Sequence, residues 1–188
     1  MNGNIPGIRD FISQAQKRQF LRDFNFRLVA VNTEALALTS DEIIYCTATI
    51  LPARNITNIQ QQYMGMQINI PGSNTYPGSD SYTIKFFMDA EGTARQKLER
   101  ASRIIFNDTT STGDYRFPSA DNYVSIATVD SKLNPLVIYN LRHAAVRNVS
   151  EIQFNYEEGA GNLMSANVTF AYTYYDTSDG MSNVAVAQ

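Results

Sequence analysis

The sequence predicts a mainly β fold of the α+β kind: a β-barrel or sandwich of about seven or eight strands with a flanking α-helix and an N-terminal helical arm. Three patterns predict it. Apolar and polar residues alternate over several short runs, as they do along strands with one buried face. Two stretches, 8–15 and 94–105, repeat at helical spacing instead. Gly, Pro, Asn and Ser cluster between the runs, where turns belong. The 188 residues suit one domain, since domains commonly hold ~100–200 residues; we expect an arm at 1–22, a body at 23–176 and a tail at 177–188.

The arm follows from Ile8, Phe11, Ile12 and Ala15, which share one helical face after a flexible lead rich in Gly, Asn and Pro. Period two then takes over. Phe24, Phe26, Leu28 and Ala30 fall on one side of a first strand, with Asn25 and Arg27 opposite. A second strand is expected over 42–51, where Ile44, Cys46, Ala48 and Ile50 alternate with Tyr45, Thr47 and Thr49 until Pro52 stops the run; Cys46 is expected in the core. Residues 64–70 alternate Met64, Met66, Ile68 and Ile70 with Gly65, Gln67 and Asn69, a strand with one wet face. A loop over 71–81 leads to the strand 82–88, whose apolar face is Tyr82, Ile84, Phe86 and Met88.

Asp89 stands where a helix N-cap belongs, and Ala94, Leu98, Ala101, Ile104 and Ile105 continue at helical offsets. The outer face of this helix carries Arg95, Lys97, Glu99, Arg100 and Arg103, with Glu91/Arg95 and Glu99/Arg103 spaced for pairing. A polar loop over 107–122 precedes strands at 123–129 and 136–141, joined at Asn134 and Pro135. Residues 151–156 and 166–175 read as a final hairpin connected through 157–162.

Charged residues make up 18% of the chain, below the ~25% usual for soluble domains. Asn, Thr, Ser, Gln and Tyr must cover much of the surface, a composition suited to protein contacts; the plainer alternative is an ordinary β-rich monomer. A net charge of −3 argues against tight nucleic-acid binding. The basic residues Arg9, Lys17, Arg18 and Arg22 sit in 1–22, whereas 151–188 holds Glu151, Glu157, Glu158, Asp176 and Asp179 without Lys or Arg, so the two ends are suited to attract. The lone Cys46 allows no internal disulfide, and no run nears the ~20 apolar residues of a membrane span; with no signal-like start, assembly in the cytoplasm is expected. The lone His143 has no metal-ligand spacing around it, and Glu157 and Glu158 lie in an expected turn. We therefore expect no enzyme: no catalytic, cofactor-binding or metal-binding residue is assigned.

The order of the motifs resembles the tail tube proteins of contractile bacteriophages, which are related to secretion-system tube proteins. The likeness runs over about residues 23–175 through Phe24-Asn25-Phe26-Arg27-Leu28, Cys46-Thr47-Ala48-Thr49-Ile50-Leu51-Pro52, Met66-Gln67-Ile68-Asn69-Ile70, the strand entering Asp89, Ala94-Arg95-Gln96-Lys97, and Val168-Thr169-Phe170-Ala171-Tyr172. The polar insertion at 107–122 and the arm before residue 22 depart from it. The resemblance implies a structural virion protein of the phage tail that forms homohexameric rings stacked into a tube. Its implied partners are further copies of itself, the tail sheath, baseplate and tail terminator proteins, and the tape measure protein and genomic DNA transiently in the lumen.

Two residue sets follow as expectations. The wet strand positions Gln67, Asn69, Gln153, Asn155, Asn167, Thr169 and Thr173 include no Lys or Arg and are candidates to line the lumen, because each phosphate-pairing cation would hold the transiting polymer through counterion release. Arg95, Lys97, Arg100 and Arg103 are candidates for an outer-face sheath contact. A baseplate tube-initiator or a secretion-system tube would share the fold, and a monomeric small-ligand β-barrel is the rival from another class.

Overall fold

The computed structural model describes residues 7–17, 20–33, 36–114, 116–155 and 161–179. Helix α1 (Ile8–Lys17) begins where Asp10 Oδ2 accepts the Gly7 N–H at 2.9 Å, and buries none of its residues. Strand β1 (Phe26–Thr33) follows, and its alternation is broken: a bulge between Leu28 and Ala30 inserts one residue. The bulge flips the phase, so Leu28 is buried before it and Val31 and Thr33 after it, while Phe24 lies ahead of the strand and is exposed, correcting the expected Phe24/Phe26/Leu28/Ala30 face. After β2 (Leu36–Ala37), the expected strand 42–51 proves mostly to be something else. Residues Ser40–Ile43 form the short helix α2, started by Thr39, whose N–H donates to Glu42 Oε2 at 2.7 Å. Only Cys46–Ala48 is a strand, β3; Ile44 and Ile50 are exposed, and Cys46 is half-buried against the core.

Strands β4 (Asn55–Tyr63) and β5 (Met66–Thr75) pair with each other and with no other described strand, and β6 (Tyr82–Phe87) follows. Helix α3 (Thr93–Ile105) starts later than expected. Gly92 takes the left-handed conformation at its N-cap, while Asp89 closes the preceding turn, its backbone carbonyl accepting the Gly92 N–H and its carboxylate accepting from the Thr93 hydroxyl at 3.0 Å. The polar loop contains a small hairpin, β7 (Phe106–Asn107) with β8 (Thr112–Gly113). Next come β9 (Tyr123–Val129), β10 (Pro135–Arg142) and β11 (Ala145–Val149). The expected run 166–175 divides into β12 (Ser165–Ala171) and β13 (Tyr174–Asp179), because the Tyr172 N–H turns to Ser79 O and the Thr173 N–H to Arg142 O, carrying the chain from one sheet to the other. Strand β13 thus extends through residues 177–179 of the segment read as tail. Residues 151–155 are not a strand, and the connection over 157–162 falls largely outside the described residues.

The architecture is mainly β with one substantial flanking helix, built from more and shorter strands than the sequence suggested. A five-stranded antiparallel sheet, β13-β10-β9-β1-β2, faces a four-stranded one, β11-β12-β6-β3, as a sandwich and not a closed barrel. Leu28, Val31, Val124, Ile126 and Leu141 from the first sheet meet Tyr82, Ile84, Phe86, Val168 and Phe170 from the second. Ala94, Leu98 and Ala101 seal the core from α3. These small and branched residues at helical spacing are what the periodicity of 94–105 anticipates. Ile104, at the far end, stays exposed.

Candidate assembly surfaces

The feature that the sandwich does not account for is the β4–β5 hairpin. No charged residue occurs between Arg54 and Asp80. Its turn, Met64-Gly65, has φ of 49° and 80°, the doubly positive geometry of a two-residue hairpin loop that matches strand twist. A bulge between Ile56 and Asn58 bends the base, and Gly72 lies against it: a Cβ there would stand 2.8 Å from Thr57 O, so only glycine fits. Cross-strand pairing sorts the side chains by face, since directly opposed residues point the same way. Tyr63/Met66, Gln61/Ile68 and Ile59/Ile70 make an apolar face; Gln62/Gln67 and Gln60/Asn69 make an amide face. Every residue of β4 is exposed, and in β5 all but Gly72, with Met66 68% and Ile59 58% exposed.

The hairpin is tied to the body at its root. Tyr76 packs edge-on against Tyr175 and Tyr172, with ring centroids 5.4 and 6.4 Å away, and Tyr172 in turn packs on Tyr82. The Tyr82 hydroxyl bonds to Thr49 Oγ1 at 2.8 Å and donates to Ile50 O, fixing the other strand's approach. Burial raises the Tyr82 pKa above its ordinary value, so this hydroxyl stays a proton-bearing strut. Burial likewise raises the Cys46 thiol to about 11, which keeps it from thiolate chemistry.

The structure distributes the expected lumen residues over four places. Gln67 and Asn69 lie on the amide face of the hairpin. Asn167 and Thr169 lie on the outer face of the four-stranded sheet, opposite Lys85 and Thr83. That face therefore carries a cation, Lys85, which the strand-by-strand reading of the sequence overlooked because the register was not known. Gln153 and Asn155 are on exposed irregular backbone and Thr173 is in the β12–β13 turn, so these three do not share a strand face with the rest.

The α3 cations divide in two. Arg95 Nε donates to Glu99 Oε1 at 2.7 Å and its guanidinium also to Ser150 O at 2.8 Å, and Lys97 Nζ pairs with Glu42 Oε2 at 2.8 Å. These residues hold the helix to its own chain. The pairing differs from the expected Glu91/Arg95 and Glu99/Arg103 because Arg95 and Glu99, one turn apart, reach each other directly. Arg100 and Arg103 are exposed and enter no ion pair with a described residue. Glu42 is 6% exposed; burial alone would raise its pKa, but the bonds from Lys97 and Thr39 outweigh burial and hold it below its ordinary value of 4.5. A lowered carboxylate pKa contributes stability above the unfolded value, lost as pH falls through the folded one. Lys97→Met is thus expected to cost about 1–2 kcal/mol at neutral pH, a difference that shrinks as pH drops below 4.5 in urea titrations; a cost that is independent of pH would contradict this assignment.

Among the described residues no group of three or more His, Cys, Asp or Glu is placed to hold a metal, and no helix is long and apolar enough to cross a membrane. His143 is structural: it takes φ 55° in the turn after β10, its Nδ1 lies 2.9 Å from Pro118 O, and its ring packs against Phe117. What the surface offers is contact area.

The sequence profile of the family described as phage tail tube protein matches residues 15–178. The chain belongs to the phage tail tube protein family. Members of this family are structural tube proteins. The tail tube fold here is similar to three chains from cryo-electron microscopy structures. One is in the tube-terminating cap of the anti-feeding prophage: 10% identity, TM-score 0.58, covering 86% of this chain and 93% of that chain. Another is in the sheath/tube terminator of an extracellular contractile injection system, PVC, in the extended state: 8% identity, TM-score 0.56, covering 86% and 98%. A third is in the PVC sheath–tube complex: 9% identity, TM-score 0.53, covering 89% and 97%. At these identities the likeness is one of fold. No curated protein sequence matches the chain.

Proposed function

We propose that this chain is the tube subunit of a contractile phage tail, made in the host cytoplasm and built into the virion, whose copies close into homohexameric rings, stack, and enclose a channel for DNA. The observation that carries the reading is the β4–β5 hairpin. An isolated two-stranded hairpin is marginally stable in water, and a charge-free one with Ile59, Tyr63, Met66, Ile68 and Ile70 bared on one side calls for a surface to cover it. β13 and β2 stand at the two ends of the five-stranded sheet, where no further described strand pairs with them, and a sheet that continues into the next subunit would add there. A second copy of the chain supplies both. Sheath, baseplate, terminator and tape measure proteins are the partners this role entails, with the arm of 1–22 and the segment 53–81 making contacts between subunits.

Within such a tube, covering the apolar hairpin face leaves the amide face wet. Gln67 and Asn69, with Gln60 and Gln62 across from them, then line the lumen, and the Asn167/Thr169 face is left out of it because Lys85 stands there. Uncharged amides let a polyanion slide without phosphate pairing. Cysteine placed at Gln67 or Asn69 in a Cys46→Ser background tests it: assembled tubes should react with a thiol reagent narrower than the channel and resist a wider one. Equal labelling by both reagents along intact walls puts those residues outside and contradicts the assignment.

A further inference from the structure

Between the end of α3 and the loop after β8 lies an open cleft of about 310 Å³, lined by Ile104, Ile105, Phe117, Pro118 and Ala145. Its wall is preformed, because His143 holds Pro118 through its Nδ1 contact and packs at a tilt against Phe117, with ring centroids 4.8 Å apart. Asp114 at its rim is already neutralised by Arg116. The same rim continues through Ile104 and Asp114 to Arg100 and Arg103, so an apolar slot is flanked by two cations that no described residue pairs.

The complement of this slot is on the same chain. Residues 151–155 leave β11 as irregular backbone, with Phe154 83% exposed and Glu151 in no ion pair with a described residue. The sequence continues to Glu157 and Glu158, and no Lys or Arg follows Arg147. An acidic residue three positions before a bare aromatic matches an apolar slot beside two arginines in both charge and shape. Arg95 ties Ser150, the start of this segment, to the first half of α3. Arg103 lies eight residues further on, about 12 Å along the helix at 1.5 Å per residue. The start of the segment and the slot thus lie at different stretches of one helix, which suits a head-to-tail contact that closes into a ring.

We propose that Phe154 of one subunit seats in the cleft of its neighbour, with Glu151 paired to Arg100 or Arg103 there. The proposal rests on the ring reading above and names the side chains of its subunit contact. The test is a pair of exposed cysteines, Phe154→Cys and Ile104→Cys, in the full chain with Cys46→Ser, oxidised after assembly and run on a non-reducing gel. A covalent ladder reaching the full ring is expected. A bridge inside single subunits, or no bridge in rings that native mass spectrometry shows intact, overturns this contact and leaves the ring reading standing. A parent protein that stays monomeric overturns both. As an independent readout, Arg103→Glu is expected to weaken association at least about tenfold, and Glu151→Arg added to it to recover most of the loss; no recovery counts against the pairing.

Discussion

Ile68→Asp and Ile59→Asp, made separately, are each expected to abolish tube formation at concentrations where the parent assembles, while the sandwich stays folded. Both side chains stand on the apolar face of the hairpin and neither touches the core. Folding should therefore change by no more than about 0.5 kcal/mol, the usual range for surface positions. Association is another matter. An unpaired carboxylate buried in a contact costs about 3–5 kcal/mol, which at about 1.4 kcal/mol per decade is on the order of 100-fold or more in affinity at each contact. A ring repeats the loss at every subunit. Sedimentation velocity with a thermal melt on the same samples separates the two effects: unchanged assembly in both variants would mean that the apolar face points at solvent in the tube.

Phe170→Ala has the opposite profile, a fold lost before any contact is. Phe170 is fully buried where β12 meets the opposing sheet, and truncating such a residue removes its transfer energy and leaves a cavity, together about 3–5 kcal/mol. Against a total of about 5–15 kcal/mol, that is a large fraction. Because binding partners stabilise the folded state by mass action, the comparison belongs in the Ile68→Asp background, by urea denaturation of the monomer. A cost under about 1 kcal/mol would mean that Phe170 does not pack between the sheets.

The core elements were legible because a single period governs them. Tyr82, Ile84 and Phe86 alternate without interruption and are buried, and Ala94, Leu98 and Ala101 keep helical spacing and are buried. Elsewhere a local event overrode the pattern. The bulge at Val29 reverses the inward face of β1 midway, and no composition signal marks it. Ile44 and Ile50 alternate correctly with Cys46 and Ala48 yet are exposed, so the period predicted a strand where the chain turns through α2. Thr39 followed three residues later by Glu42 was the sequence signal for that helix, a helix-start pairing. Strand β4 left no periodic trace, because the consecutive Gln60, Gln61 and Gln62 blur the alternation that β5 keeps in Met66, Ile68 and Ile70. Its amide and apolar faces emerge only once register places Gln62 beside Gln67 and Ile59 beside Ile70. For the same reason the lumen candidates could be chosen by residue type but not by face. The four α3 cations likewise looked equivalent until Glu42 and Ser150, distant in sequence, were seen to engage two of them.

Negative-stain electron microscopy of the concentrated purified chain bears most directly on whether it is a tube subunit. A tube subunit gives hollow tubes or stacked rings with sixfold end views, appearing alone or upon addition of baseplate components. Monodisperse single particles at every concentration, with and without those components, would contradict that reading.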